Sequence, residues 1–317
     1  MPTVECFGIE QVKREAGSVV TVGSFDGLHR GHQLILAALQ EEAQARAGST
    51  TVVTFEPHPQ LVLKKSGQPP LQILTSAEEK VALLREIGID RVVVIPFTLE
   101  FSQTPSATFV RDILFHKIGM QAIVIGHDHG FGKNREGDVA TLTALGRELG
   151  FAVRELPPYQ TGDTVVSSTQ IRQALLRGEM AQANDWLASS YQLACKVVAG
   201  EGRGKHIGFP TANLQPLNPD KLIPANGVYA VIAELSGEKF GGMMNIGVRP
   251  TFAGTARTLE VHLLDFDRNI YGQRLDLHFI ARLREEKKFD AIPDLIAQLR
   301  DDREASLRVV QAELGRP

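Results

Sequence analysis

The chain has 317 residues, enough for two domains of ordinary size. Its 34 Lys and Arg against 37 Asp and Glu leave a formal charge of −3, which argues against a general nucleic-acid binder. Hydrophobic and charged contents of 43 % and 22 % are those of a water-soluble globular protein. No apolar run reaches the length of a bilayer span, and MPTVECFGIE lacks a basic-then-apolar leader pattern, so no membrane partner is expected. Two cysteines, Cys6 and Cys195, make neither a disulfide framework nor a metal spacing, which suits a reducing cytoplasm. An oligomer is compatible with this composition.

In chain order, near-continuous apolar runs at 19–23, 50–55, 91–96, 121–126 and 151–156 predict strands buried on both faces, as in a parallel sheet. Amphipathic stretches at 32–46, 76–88, 105–118 and 139–149 alternate with them, and Ser76 with Glu79 predicts a capping box. The alternation predicts an open α/β sheet whose ligands sit beyond the carboxyl ends of the strands. After a short linker around MAQANDWLASS the pattern changes near residue 187. Short strand candidates in YQLACKVVAGEG, NGVYAVIAELSG, KFGGMMNIGV, TLEVHLLDFD and RLDLHFIARL are separated by Gly, Asn and Asp turns. They predict a small antiparallel barrel or sandwich, with 291–314 as a helix over one side. The expected domains are 1–186 and 187–317.

TVGSFDGLHRGHQLIL (21–36) leaves a β-branched strand through a glycine turn and enters an apolar helix. Glycines let backbone N–H groups approach an anion, and the helix start points more of them at it. His29 and His32, three apart, share a face there and can donate to phosphate oxygens. Two surface histidines, or a zinc pair completed by His58, His127 and His129, are the alternatives.

G-S-F-D-G-L-H-R-G-H resembles the HxGH signature of the nucleotidylyltransferase superfamily, in the form found in the adenylyltransferase half of bacterial bifunctional riboflavin kinase/FAD synthetases. TFEPHP (54–59), GHDHGFGKNREGD (126–138) and SSTQIR (167–172) are similar to that family's further blocks, in order. The resemblance implies a Rossmann-like nucleotidylyltransferase sheet and transfer of AMP from ATP to FMN, giving FAD and pyrophosphate. It implies His29, His32 and Arg172 as phosphate donors, Gly23, Phe25, Asp26, Gly31, Asp128 and Ser168 at the nucleotide, and Mg²⁺ bridging the phosphates. Ser167–Thr169 also fits a plain helix N-cap. Two departures stand out: His129 replaces an aromatic of the family pattern, with His127 before it, and WLASSY (186–191) replaces an L-G-R-P-Y-like turn.

VVAGEGRGKHIGFPTANL (197–214) is no P-loop, because Ala199 and His206 occupy the Gly and Ser/Thr places of that motif. Its glycines alone fit a hairpin. GFPTAN, however, is similar to the riboflavin kinase signature, and NGVYAV, MNIGVRPTF, LEVHLLDFDRNIYG and LREEKKFD resemble that family's remaining blocks. This second resemblance implies a small antiparallel β-barrel that phosphorylates riboflavin. An attacking alcohol must lose its proton, so a base is expected, and Glu260 is the candidate against an ordinary outward strand residue. Thr211 and Asn213 offer hard oxygens to Mg²⁺, and both also fit a turn after Pro210. Gly200, Gly202 and Gly204, with Arg203 and Lys205, would close over the phosphates, while Asn245 and Arg284 would lie near the flavin. His262 shares a strand face with Glu260, either tuning it or packing. The two resemblances together imply one enzyme with ATP, riboflavin, FMN and FAD as its small-molecule partners. The alternatives are a kinase with an impaired or differently specific first domain, a flavin or nucleotide sensor, and a zinc protein.

Overall fold

The computed structural model describes residues 3–64, 67, 69–127, 130–200, 203–251 and 254–315. Asp128, His129 and Gly202 therefore lie outside the described residues, as does the Arg203 side chain. The chain divides into two compact units, Met1–Ser168 and Thr169–Pro317.

The first unit holds a six-stranded sheet of β1 (Val4–Phe7), β2 (Ser18–Val22), β3 (Ser49–Glu56), β4 (Arg91–Pro96), β5 (Met120–Gly126) and β6 (Ala152–Leu156). Every neighbouring pair is parallel, in the order β1-β4-β3-β2-β5-β6. The centres of β2, β3 and β4 are buried because both sheet faces are covered, as the apolar runs predict. The edge strand β1 is short and carries exposed Val4 and Phe7, so no apolar run announces it. Helices span Arg30–Ala45, Ala77–Ile87 and Val139–Leu149, and a further helix from Ser106 continues as a π-wound stretch over Phe109–Ile118. The Ser76–Glu79 capping box forms with both reciprocal bonds, at 3.2 and 2.8 Å. A two-stranded ribbon, β7 (Gln160–Thr161) with β8 (Thr164–Val165), ends the unit.

The chain passes from β2 to β3 on one side of β2 and later places β5 on its other side. The carboxyl end of β2 is thus a topological switch point, where the connections diverge and leave a crevice. The turn 23–29 and the loop after β5 both begin there.

The second unit is a closed antiparallel barrel in the order β10-β13-β12-β11-β14-β9. Its strands are β9 (Tyr191–Val198), β10 (Ala212–Pro216), β11 (Gly227–Leu235), β12 (Glu238–Thr251), β13 (Gly254–Leu263) and β14 (Arg274–Arg284). Tyr191, Tyr229, Val261 and Phe279 fill its interior, each 2 % exposed or less. The helix Ile292–Leu314 packs on β11, β12 and β14, with Ser306 donating to Gly242 O at 2.7 Å. The stretch expected as a linker is instead the helix Met180–Leu187. Met180, Ala183, Trp186 and Leu187 form one buried stripe, and Asn184 ties the helix to Phe279 O and to Tyr191 N.

Replacing Ser76 with Ala removes one arm of the capping box. The expected cost is about 1 kcal/mol, seen as a lower urea midpoint when unfolding of the full chain is followed by circular dichroism.

Candidate functional sites in the two units

In the first unit the turn after β2 is shaped from within. Phe25 and Leu28 adopt left-handed φ values of 47° and 42°, and both side chains are only 2 % exposed. Burial holds these non-glycine residues in a conformation they ordinarily avoid, a kind of strain that clusters at functional sites. Asp26, 1 % exposed, accepts from the amides of Leu74 and Thr75 at 2.9 Å, so its carboxylate braces the turn. Gly27 N donates to Thr75 Oγ1 at 3.0 Å, Gly23 N to Val53 O at 3.0 Å, and Ser168 Oγ to Asp26 O at 2.8 Å.

The glycines also make room for rings. A β-carbon on Gly31 would lie 3.1 Å from His29 Cε1, and one on Gly23 would lie 3.2 Å from Phe25 Cε2. His29 is the N-cap of the Arg30–Ala45 helix, yet its side chain makes no capping bond. The first-turn amides Arg30, Gly31 and His32 have no acceptor within the helix, and the helix dipole there favours an anion. The His29 and His32 rings stack at 3.8 Å, with Phe25 against His32 at 5.1 Å. Burial, then His29, then Lys80 push the His32 pKa well below its ordinary 6.5, so the ring is neutral at pH 7. Its Nδ1 is buried with no hydrogen-bond partner among the described residues. An unmatched acceptor costs less than an unmatched donor, which places the proton on Nε2.

Lys80 is a residue that sequence reasoning missed. It is 3 % exposed and donates Nζ–H to Thr54 Oγ1 at 3.1 Å, while the Thr54 hydroxyl donates to Ser24 O at 3.3 Å in the turn. Burial lowers its pKa against the opposing pull of Asp26 and Glu56. The available signal was a lysine aligned with Leu84 and Ile87 on the apolar stripe of its helix. Beside this centre, Phe55, Phe97 and Phe101 form a cluster at the carboxyl ends of β3 and β4, with centroids 5.6 to 6.1 Å apart. Arg172 lies on the helix Ser168–Arg177, which from Thr169 onward belongs to the second unit. Among the described residues no three His, Cys, Asp or Glu side chains converge to hold a metal ion, so the zinc cage is not assembled there.

In the second unit, register assembles the site. Asn213 pairs with Glu260, Glu260 with Asn245, Asn245 with Val228, and Val228 with Arg284. Directly paired residues share a sheet face, so one row crosses five strands on the outside of the barrel. Thr211 Oγ1 donates to Glu260 Oε2 at 3.3 Å. Glu260, Asn245, Val228 and Arg284 of this row floor a cavity of about 290 Å³, walled by Gly204, Phe209, Met243 and by Leu295 and Leu299 of the C-terminal helix. A β-carbon on Gly200 would overlap the Asn213 carboxamide, and one on Gly204 would overlap Phe209 O. Arg284 is engaged by the buried Asp302 through bonds of 2.7 to 3.1 Å, an anchor between cavity and helix that the sequence did not signal. The Thr211 hydroxyl and the Asn213 side-chain carbonyl are hard oxygens of the type a divalent cation takes. Gly200, lacking a side chain, leaves the space the Asn213 amide occupies.

A family model described as FAD synthetase matches residues 11–170, and one described as riboflavin kinase matches residues 187–310. The bifunctional riboflavin kinase/FMN adenylyltransferase of Escherichia coli K12 is 38 % identical over 289 residues, covering 91 % of each chain. The Bacillus subtilis protein of the same name is 33 % identical over 300 residues, covering 93 % of each. A crystal structure described as a macrolide-efflux protein from Streptococcus pneumoniae superposes with a TM-score of 0.87 at 29 % identity, covering 96 % of this chain and 99 % of that one. No helix among the described residues is long and apolar enough to cross a membrane.

In an NMR titration the His32 imidazole should stay neutral well below pH 6.5, and Lys80→Met should move its midpoint upward. The unfolded chain takes up a proton near pH 6.5 that the folded site resists. This stabilising contribution is therefore complete above pH 6.5 and declines as pH falls below it, so the unfolding temperature should drop between pH 7 and 5.

Proposed function

The chain belongs to the bifunctional riboflavin kinase/FMN adenylyltransferase family, and from that premise we infer how its residues divide the two reactions. It phosphorylates riboflavin to FMN and adenylylates FMN to FAD, with ATP as donor in both steps. We assign adenylyl transfer to residues 1–186 and phosphoryl transfer to 187–317. The gap between the two family matches, 170 to 187, supports this division. Neither those matches nor the relatives favour an impaired first domain.

In the kinase site Glu260 takes the proton of the ribityl 5′-hydroxyl as that oxygen attacks the γ-phosphorus of ATP and the bond from γ-phosphorus to the β,γ-bridging oxygen breaks, releasing ADP. The observation that carries this reading is the row Asn213–Glu260–Asn245 with the Thr211 hydroxyl bonded to Glu260. Families of ATP-dependent kinases and adenylyltransferases generally use a divalent metal, and here Mg²⁺ would be held by Thr211 and Asn213, neutralising charge on the phosphates when bound. The Thr211 oxygen can face a cation while its proton points to Glu260. Gly200, and Gly204 in the short helix Arg203–His206, admit the close backbone approach that phosphates need, and Lys205 of that helix supplies positive charge to them. Asn245 and the Asp302-anchored Arg284 face the flavin side of the cavity.

In the adenylyltransferase site the nucleophile is the phosphate of FMN, which attacks the α-phosphorus without prior deprotonation. Catalysis there is positioning and charge stabilisation. His29, and His32 through Nε2–H, donate to the phosphates, joined by the amides at Gly31 and His32; Arg172 is a phosphate donor by resemblance alone. Gly23, Phe25, Asp26 and Ser168 shape the turn through their internal bonds, and Asp128 stands at the family's Asp/Asn position. The partly exposed Phe97 and Phe101 supply the apolar surface that position 129 lacks. Cys6 and Cys195, buried and not joined in a disulfide, and the intracellular supply of ATP support a cytoplasmic location.

Chromatography of flavins after incubation with riboflavin, ATP and Mg²⁺ tests the assignment. Glu260→Gln should slow FMN formation by about 10²- to 10⁴-fold while FAD formation from supplied FMN persists. His29→Ala combined with His32→Ala should do the reverse. Equal loss of both activities in either variant would defeat the two-site reading. Gly200→Ala should behave like the Glu260 variant, because its methyl group displaces the Asn213 carboxamide.

A further inference from the structure

His262 lies on β13 two residues beyond Glu260, paired with Met243 on the outer barrel face, and is 9 % exposed. Its Nδ1 is 2.7 Å from Pro210 O, and its ring meets Phe209 edge-on at 5.4 Å. A carbonyl oxygen only accepts, so Nδ1 carries the proton and donates. The backbone ladder between β10 and β13 consists of Ala212 with Val261 and Asn213 with Glu260. Continued by one step, it would set Thr211 opposite His262. The side chain of His262 instead bonds the carbonyl one residue earlier, acting as an extra rung made by an imidazole. Thr211 is consequently fixed from two sides, by the Pro210 anchor before it and by Glu260 at its own hydroxyl.

We propose that His262 is a positioning residue for riboflavin phosphorylation, whose Nδ1–H bond to Pro210 O holds Thr211 and Asn213 in the row beside Glu260. The proposal rests on the reading of Thr211 and Asn213 as the donors on the nucleotide side. It resolves the two sequence-level options for His262, since the ring nitrogen facing a protein acceptor is engaged by the Pro210 carbonyl and not by Glu260. A buried carbonyl left without its donor would draw in water or shift, and the segment 209–213 would loosen with it.

Two substitutions in the full-length protein test this. His262→Leu keeps bulk and removes the donor, whereas His262→Asn places an amide N–H near the position of Nδ1. Hydrogen exchange of the peptide covering 209–216, measured without ligand or metal, should speed about tenfold or more in the leucine variant. It should return to within about threefold of the parent in the asparagine variant. In steady state, His262→Leu should raise the KM for ATP in FMN formation about tenfold while the KM for riboflavin stays within about twofold, again with rescue by asparagine. FAD formation from supplied FMN should be unchanged in both and reports that the chain is folded. Parental exchange and parental KM for ATP in His262→Leu would overturn the proposal, as would equal damage by leucine and asparagine. If exchange changes as expected while the KM for ATP does not move, His262 anchors the segment but Thr211 and Asn213 do not serve the nucleotide. That outcome overturns the proposal through the reading beneath it.

Discussion

Antiparallel pairing is the interaction on which the kinase site rests. Arg284, Val228, Asn245, Glu260 and Asn213 come from strands spread over more than seventy residues, and backbone hydrogen bonds alone bring them into one row. Because side chains alternate with a period of two, a slip of one residue between β12 and β13 would turn Glu260 into the barrel and bring Val261 out. The interior forbids that slip, since Val261, Tyr229 and Phe279 fill a volume that admits no carboxylate. The packing of an apolar core thus sets the placement of a polar constellation on the opposite face. Closure of the barrel strengthens the constraint, because no free edge remains at which register could relax.

The first unit solves its positioning problem with buried charge and a strained turn. β2 delivers the turn to the switch point of the sheet, and the helix start behind it supplies amides and a favourable dipole. Asp26 faces inward to the amides of Leu74 and Thr75, and Lys80 supports the same turn through Thr54 and Ser24 O. Taking an ammonium out of water is costly unless hydrogen bonds and opposite charge compensate, and Thr54, Asp26 and Glu56 supply both. With that cation nearby and little water around the ring, His32 remains neutral and offers a single oriented N–H. The left-handed Phe25 and Leu28 are held by the same packing that fixes the ring of His32.

Much of this was legible in the sequence, for identifiable reasons. Five of the six sheet strands are apolar runs, and burial on both faces leaves that composition in the chain. The edge strand β1 has one covered side and only four residues, so it left no such run. β10 begins only at the end of GFPTAN, where Pro210, Thr211 and Asn213 read equally well as a turn. The helix Met180–Leu187 reads as a linker because eight residues make only two turns, too few for its four-residue buried stripe to show a helical period. Residues with a motif around them are singled out by the sequence, whereas Lys80 and Asp302 are not. A charged residue that acts from inside a helix stripe, or from a distant helix onto Arg284, has significance only once the partner strand is in place.

The two reactions make opposite demands on a carboxylate, and the two units meet them in opposite ways. An attacking hydroxyl benefits from a nearby base, and in the kinase cavity Glu260 is half-buried and accepts from the Thr211 hydroxyl. An attacking phosphate already carries negative charge, so an unscreened carboxylate beside it would raise the barrier through repulsion. In the first unit the carboxylate of the turn, Asp26, is turned away from the surface and held by backbone amides, and the side chains at the helix start are imidazoles. One active site could not present a carboxylate for the first step and withhold it for the second without moving it. Two folds joined in one chain satisfy both demands with side chains that stay where their cores place them.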